Sequence, residues 1–301
     1  TALRLYRLDS IPSGLWWDEA YSGLQTLKIV NDPSYRPVYL AGMAQEPALI
    51  WYLMAGSFAI FGPSTVALRA TAVFGGLLSV LSISLLAKEL FGRRAGLVAG
   101  FLVATMAWDV NFSRIAFNAI WSVALDTLAI YLLVQGMRKG RLLSFALAGT
   151  ALGLGLNMYY TSRLIPLILI LYLVRRLISE GRVFFLSHLT GLALFSVITI
   201  ATVSPLLQYA IQKPDDFSSR INQVTIVNEV AIQRSYAPIL ENLRKHLLMF
   251  HYEGDANGRH NLPKAPMLDQ VTAALFFLGL VMALRQAHRP DPAPAAPRPA
   301  R

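Results

Sequence analysis

Long apolar segments alternate with short polar loops along most of the chain. Seven of these segments are as apolar as transmembrane helices and cover about residues 66–87, 95–112, 118–136, 143–160, 164–178, 184–207 and 270–285. A helix needs about 20 apolar residues to cross a bilayer, so the shorter segments are expected to borrow flanking residues. The pattern predicts an all-α, polytopic bundle of transmembrane helices.

Composition strengthens this prediction. The chain is 55% hydrophobic and 15% charged, whereas a soluble domain carries about 25% charged residues. It has no cysteine, which excludes disulfides and thiolate metal sites. The net charge of +10 comes from basic residues between apolar segments. It therefore indicates membrane topology and no nucleic-acid partner.

Basic residues are concentrated in every second loop. The rich loops contain Lys88, Arg93, Arg94, Arg138, Lys139, Arg141, Arg175, Arg176, Arg182, Arg285 and Arg289. The short loops between them hold only Arg114 and Arg163, with Arg69 near a helix end. By the positive-inside rule the rich loops are cytoplasmic. Residues 1–64 and 208–269 are then predicted to lie outside.

Five segments follow from this orientation. They are a first outer loop at 1–64, transmembrane helices at 65–207, an outer loop capping the site at 208–269, a transmembrane helix at 270–286 and a cytoplasmic Pro/Ala-rich tail at 287–301. The apolar stretch from Glu46 to Gly62 is short, so we expect an interfacial or re-entrant helix there; the alternative is an ordinary extra span. The chain opens in a polar, aromatic segment without a signal pattern, and we expect a fragment that lacks a first span.

Ionisable residues gather at the predicted outer ends of the helices. Asp18 and Glu19 lie side by side after Trp16 and Trp17. Charges at membrane depth are costly, so their concentration at one face indicates a functional site. Asp18 could act as a general base. An isolated Asp-Glu pair, however, would more often supply a first-turn helix acid.

Arg114 and Asp109 are two further candidates, at the end of the second predicted span. Arg114 could hold a phosphate through paired hydrogen bonds, or it could anchor the helix end among lipid headgroups. Asp109 could orient a sugar hydroxyl or help to hold a cation; the alternative is a solvated helix end.

The remaining candidates are spread over three loops. Tyr160 and Arg163 could contact a donor phosphate. Alternatively, Tyr160 belongs to the aromatic belt at the membrane interface and Arg163 anchors the helix end there. His260 could bind a phosphate or a metal, although a lone loop histidine is more often solvated. Glu46 could be a second acid of the site or a helix cap. The acids and His260 suit a divalent cation such as Mg²⁺ or Mn²⁺, but no ligand spacing is diagnostic.

Several motifs, in order along nearly the whole chain, resemble one known family. They are Gly14-Leu15-Trp16-Trp17-Asp18-Glu19-Ala20, Glu46-Pro47, Phe61-Gly62-Pro63-Ser64 through Leu68-Arg69, Lys88-Glu89-Leu90-Phe91-Gly92-Arg93-Arg94, Phe112-Ser113-Arg114, and Gly254-Asp255 through Arg259-His260-Asn261-Leu262-Pro263. With them the chain resembles the GT-C membrane glycosyltransferases. Within these it is similar to glycosyltransferase family 39, which includes protein O-mannosyltransferases and lipid A aminoarabinose transferases. Where many relatives have His-Pro or Pro-Pro, this chain has Glu46-Pro47.

The resemblance implies an enzyme. The expected reaction is inverting transfer of a hexosyl or pentosyl group from a polyprenyl-phosphate donor to a protein, lipid or glycan acceptor. Asp18 corresponds to the family's catalytic aspartate, and Glu19 would support it. Arg114, with Arg163 or His260, would stabilise the leaving phosphate. The expected location is a bacterial inner or plasma membrane, with the site facing outward.

A carrier that flips lipid-linked sugars is the main alternative. A carrier would place charges along its central cavity on both leaflet sides. Here the acids gather at the predicted outer face, which favours the enzyme. A structural subunit of an envelope complex is a third interpretation, in which the charges of the site are incidental.

Overall fold

The described part of the protein is almost entirely helical. The computed structural model describes residues 1–42 and 45–287, so most of the predicted tail at 287–301 lies outside it. The helices are α1 Ala2–Leu5, α2 Trp17–Asn31, α3 Leu49–Phe61, α4 Thr65–Phe91, α5 Arg93–Thr105, α6 Ala107–Phe112, α7 Ala119–Lys139, α8 Leu142–Leu156, α9 Leu164–Gln212, α10 Pro214–Val224, α11 Ile226–Gln233, α12 Ala237–Leu248 and α13 Gln270–Ala287. A 3₁₀ turn, Tyr160–Arg163, precedes α9. The all-α prediction is confirmed.

Three of the described helical segments are long and apolar enough to cross a membrane by length and composition: Thr65–Phe91, Ala119–Lys139 and Tyr160–Gln212. The last is interrupted at Gly181, whose φ of 71° is accessible to glycine at little cost. The interruption falls between two segments that the sequence pattern separates. Shorter apolar helices include α8 and the described part of α13.

The segment predicted as a single span at 95–112 is in fact broken, and that prediction is wrong. Helix α5 ends at Thr105, and α6 starts after the extended residue Met106. Arg4 accounts for the break, since its guanidinium donates to the carbonyl oxygens of Ala104 and Val103 at 2.9 and 3.4 Å. A side chain thus satisfies helix-end carbonyls that the next turn would otherwise serve.

Helix α3 is too short to cross a bilayer as a straight helix. Its 13 residues span about 20 Å, against about 30 Å for the hydrocarbon core. An interfacial helix would lay its aromatic residues along the membrane face, but Trp51 and Phe58 are both buried in the core between α2, α3 and α4. The helix therefore has one face committed to the bundle.

Five of the described helices pack side by side in the order α5, α4, α7, α8 and α9, so α4 contacts both α5 and α7. Glycines allow the closest approach, as the Gly-rich sequence of α8 predicts. A Cβ at Gly153 would lie 2.5 Å from Cβ of Thr202, and one at Gly149 would lie 2.5 Å from the carbonyl oxygen of Phe195. Backbone contact between α8 and α9 depends on these two positions.

A short antiparallel strand pair fixes the loop between α2 and α3. β1, Tyr39–Leu40, pairs with β2, Glu46–Pro47, and Leu40 lies opposite Glu46. The amide of Ala48 adds a hydrogen bond of 2.9 Å to the carbonyl of Val38. Glu46 is therefore held by backbone pairing just before α3.

The chain divides into two compact units, Thr1–Glu241 and Asn242–Arg301. The first contains the helices from α1 to α11 and three buried clusters among its described residues, the two larger of which are formed mainly by α2–α4 and by α7–α9. The second contains α13 and the loop before it, where Phe250 stacks on Phe276 at 5.1 Å between ring centroids.

Candidate functional site

Glu19 is buried at the start of α2 and fully occupied by hydrogen-bond donors. Arg69 donates to both of its carboxylate oxygens at 2.9 and 3.1 Å. The amides of Trp16 and Ala116 donate to the same carboxylate at 3.1 and 3.0 Å. As the third residue of α2, Glu19 also caps the helix through the Trp16 amide. These contacts indicate that Glu19 stabilises the fold at the start of α2.

The other end of Arg69 holds the N-terminal loop. Its guanidinium donates to the carbonyl oxygens of Leu8, Pro12 and Gly14 at 3.1, 3.0 and 2.6 Å. The side chain has no exposed surface. Asp18 follows this loop directly, is only partly buried and lies in the first turn of α2, where the helix dipole favours a negative charge.

Glu46 lies at the centre of another group of polar residues, separate from the Glu19–Arg69 pair. Its carboxylate accepts a hydrogen bond of 2.8 Å from Nδ2 of Asn118. Burial raises the pKa of Glu46 to about 7, against the lowering effects of the Asn118 hydrogen bond and the Arg220 charge. The group is thus divided between its acid and base forms near neutral pH, which suits a role in proton transfer or in hydrogen bonding to a sugar.

Four tyrosines interact with Glu46, and one of them belongs to α2, the helix that carries Asp18. The Glu46 carboxylate interacts electrostatically with the tyrosines at positions 21, 39, 159 and 160. Tyr21 lies one turn after Asp18 on the same face of α2. Helix α2, which carries Asp18 at its start, therefore lies close enough to Glu46 for Tyr21 to interact with it.

Arg163 lies between two aromatic rings near this region. Its guanidinium carbon is 5.0 Å from the ring centre of Tyr160 and 4.3 Å from that of Phe217. Phe217 belongs to α10, which also carries Arg220. The Nη2 atom of Arg163 is buried and has no hydrogen-bond partner within the described ranges. A partly buried guanidinium whose Nη2 has no partner among the described residues is suited to an anionic ligand.

Arg114 and Asp109 contact the N-terminal segment. Arg114 donates to the carbonyl oxygens of Leu3, Tyr6 and Ile11 at 2.7, 2.6 and 2.8 Å. Asp109 is buried, forms an ion pair with Arg4 and accepts a hydrogen bond of 2.9 Å from Ser79. The structure gives both residues contacts that hold the first loop on α4 and α6.

His260 belongs to the second unit. Its Nδ1 lies 2.5 Å from a carboxylate oxygen of Asp255, and its Nε2 lies 3.1 Å from Nε of Arg259. Nε2 accepts from Arg259, so the nitrogen that faces Asp255 is the one that can donate. Within residues 1–42 and 45–287 no three His, Cys, Asp or Glu side chains are grouped to hold a metal ion, so we assign no metal ligand.

Sequence reasoning missed three residues of this region. Asn118 is the polar partner of Glu46, Tyr21 of α2 interacts with Glu46, and Arg220 supplies a second positive charge. Only Arg220 had a signal, as a basic residue in the long outer segment. The other two belong to apolar or aromatic runs, where a single polar atom does not stand out.

Comparisons with known proteins agree with this architecture. The chain is 26% identical to the Archaeoglobus fulgidus dolichyl-phosphooligosaccharide-protein glycotransferase 3 over an alignment that covers 82% of this chain and 33% of the relative. It resembles the solved Archaeoglobus fulgidus oligosaccharyltransferase, with a TM-score of 0.59, 20% identity, and coverage of 96% of this chain and 42% of that one. The chain also resembles the structure of ArnT from Cupriavidus metallidurans. The TM-score is 0.56 and the identity 14%, and the match covers 68% of this chain and 39% of ArnT.

The helical fold is that of the GT-C membrane glycosyltransferases. The family model of the dolichyl-phosphate-mannose-protein mannosyltransferases matches residues 45–209, more than half of the chain. This protein belongs to that family and is an integral membrane protein. It spans about a third of the length of the curated relative that it matches.

Proposed function

We propose that this chain carries the active site of a glycosyltransferase that uses a polyprenyl-phosphate sugar. The observation that carries the proposal is that Glu46 and Arg163 both interact with Tyr160, while Nη2 of Arg163 is buried and has no partner among the described residues. Helix α2, which carries Asp18, reaches the same acid through Tyr21. Such a site serves a reaction that removes a proton at one atom and releases a phosphate at another.

The proposed reaction is a single displacement. Asp18 takes the proton of the acceptor hydroxyl or amine, and the acceptor atom forms a bond to the anomeric carbon of the sugar. The bond between that carbon and the phosphate oxygen breaks, and the polyprenyl phosphate leaves with the electron pair. One displacement inverts the anomeric configuration, for which one carboxylate at the attack face is enough.

Arg163 is assigned to the leaving phosphate, with Arg220 as a second positive charge. The negative charge on the phosphate grows as the glycosidic bond breaks, so donors fixed beforehand lower the barrier. The row of rings formed by Phe117, Tyr159 and Tyr160, with centroids 5.4 to 5.5 Å apart, offers aromatic faces to the sugar or the lipid.

Two relatives support this donor class by what they are described to bind. The curated relative is a dolichyl-phosphooligosaccharide-protein glycotransferase. The solved archaeal enzyme AglB, with a TM-score of 0.53 and 18% identity, is in complex with an inhibitory peptide and a dolichol-phosphate. We propose a lipid-phosphate donor for this chain, a protein, lipid or glycan acceptor, and a site that faces outward from a bacterial inner or plasma membrane.

The test is sugar transfer from a radiolabelled panel of polyprenyl-phosphate sugars by membranes that contain the full-length protein. Transfer from one donor, with an inverted product, supports the proposal. Movement of donor between leaflets without transfer would replace it with the carrier function.

A further inference from the structure

Three buried polar residues recur one helical turn apart on α7. Asn118 stands at its N-terminal end, and Ser122 and Asp126 follow at intervals of four residues, so the three share one face. Their exposed fractions are 2%, 1% and 8%. We refer to these residues as the α7 polar stripe.

Two members of the stripe hold the segment 158–163. Asn118 donates from Nδ2 to the carbonyl oxygen of Met158 at 3.0 Å. Ser162 donates from Oγ to Oδ2 of Asp126 at 2.8 Å. The two hydrogen bonds grip the segment on either side of Tyr159 and Tyr160. The hydrogen bond to Asp126 comes from Ser162, the residue immediately before Arg163.

Gly155 makes room for this arrangement. A Cβ at that position would lie 2.5 Å from Oδ1 of Asp126. The carboxylate is therefore packed directly against the backbone of α8, at the end from which the segment 158–163 departs. Any other residue at position 155 would push Asp126 away from Ser162.

The α7 polar stripe lowers the stability of the folded protein. Oδ1 of Asn118, Oγ of Ser122 and Oδ1 of Asp126 are all buried and have no hydrogen-bond partner among the described residues. Buried polar atoms without partners destabilise a fold, and apolar residues of the same shape would pack with less loss. Ionisable residues inside a membrane bundle are rare and are usually kept for a function.

We propose that Asp126 and Asn118 are positioning residues, which hold the segment 158–163 so that Arg163 meets the donor phosphate. The inference rests on the proposed function, because it assigns Arg163 to that phosphate. Asp126 does not touch the ligand in this account. It acts through the Ser162 hydrogen bond on the neighbouring guanidinium, and a displacement of about 1 Å at a reacting or binding group is enough to lower rates strongly.

The experiment measures binding of a polyprenyl monophosphate to the full-length protein in nanodiscs. The variants are Asp126→Ala, Ser162→Ala and Asp126→Asn, which keeps an acceptor oxygen for Ser162. The matched control is Ser144→Ala, because Ser144 makes a similar hydrogen bond, 3.0 Å to Gln135, at the other end of α7. We expect Asp126→Ala and Ser162→Ala to weaken binding about tenfold, with the control and Asp126→Asn within about threefold of wild type.

A double-mutant cycle with Arg163→Ala separates positioning from general stability. In the Arg163→Ala background, Asp126→Ala should change affinity less than about twofold, since the group that it positions is gone. An equal loss with and without Arg163 would overturn the proposal. If Asp126→Ala does not fold, Ser162→Ala completes the cycle from the donor side of the same hydrogen bond.

The results also distinguish this inference from the proposed function. Wild-type binding by Arg163→Ala would remove the phosphate assignment and both proposals with it. Weak binding by Arg163→Ala together with normal binding by Asp126→Ala and Ser162→Ala would leave the transferase standing and refute the positioning role.

Discussion

Arg69 donates to both carboxylate oxygens of Glu19, at 2.9 and 3.1 Å, and both side chains are almost completely buried. Asp18, the next residue in the chain, is only partly buried. We therefore assign two different tasks to the two adjacent acids. Glu19 fixes the loop that leads into α2, and Asp18 is the acid that we propose meets the substrate.

Removal of Glu19 should destabilise the fold, whereas removal of the Asp18 charge should not. Glu19→Ala leaves the Arg69 guanidinium buried without its counter-ion, which costs about 3–5 kcal/mol of unfolding free energy. Asp18→Asn should stay within about 0.5 kcal/mol of wild type. Denaturant unfolding of the purified protein in detergent measures both. Equal stability of Glu19→Ala and wild type would refute the structural role of the pair.

Glu46 should make stability depend on pH between about 4.5 and 7. Its folded pKa of about 7 lies above the ordinary value of 4.5. In this window the folded state binds more protons than the unfolded state, so stability falls as pH rises. Glu46→Gln should remove this component, on the order of 2–3 kcal/mol. Unfolding midpoints of both proteins from pH 4.5 to 8 test it, and identical slopes would contradict the assignment.

Arg114 and Arg163 should differ in what they contribute. Arg114→Lys loses the fork that donates to Leu3, Tyr6 and Ile11, and should lower stability by about 1–3 kcal/mol. Its donor KM, measured on folded protein, should be unchanged. Arg163→Lys should instead raise the donor KM about tenfold, because lysine cannot give two parallel hydrogen bonds to phosphate. A raised KM for Arg114→Lys alone would reverse the two roles.

Gly153→Ala tests the packing of α8 on α9. The new methyl group would lie 2.5 Å from Thr202 Cβ, and we expect about 1–3 kcal/mol of destabilisation. Gly56→Ala is the matched control, since a Cβ there meets nothing within 4 Å. It should be neutral, or stabilising by up to about 1 kcal/mol. Thermal unfolding in the same detergent compares the two, and equal effects would contradict the close packing.

The fold class could be predicted because membrane helices carry their signal in composition. Long apolar runs and the spacing of basic loops need no knowledge of tertiary contacts. The break at Met106 could not be predicted, since it depends on Arg4, about 100 residues away in sequence. No local signal near Met106 marks it.

The site could be predicted in part. Asp18, Glu46, Tyr160 and Arg163 stood out as polar or charged residues at helix ends, and they remain in the proposed site. One sequence does not reveal which charged residues form structural pairs and are therefore not available to the site. The partner of Glu19 lies 50 residues away, and Arg114 binds backbone carbonyls, which every sequence has.

The most direct test of the central claim compares turnover by wild type, Asp18→Asn and Asp9→Asn, with equal amounts of folded protein and the donor that the panel identifies. Asp9 is an exposed acid of the same N-terminal loop and serves as the control. The account predicts a loss of about 100-fold or more for Asp18→Asn, in the range of general base catalysis, with Asp9→Asn like wild type. Wild-type turnover by Asp18→Asn would contradict it.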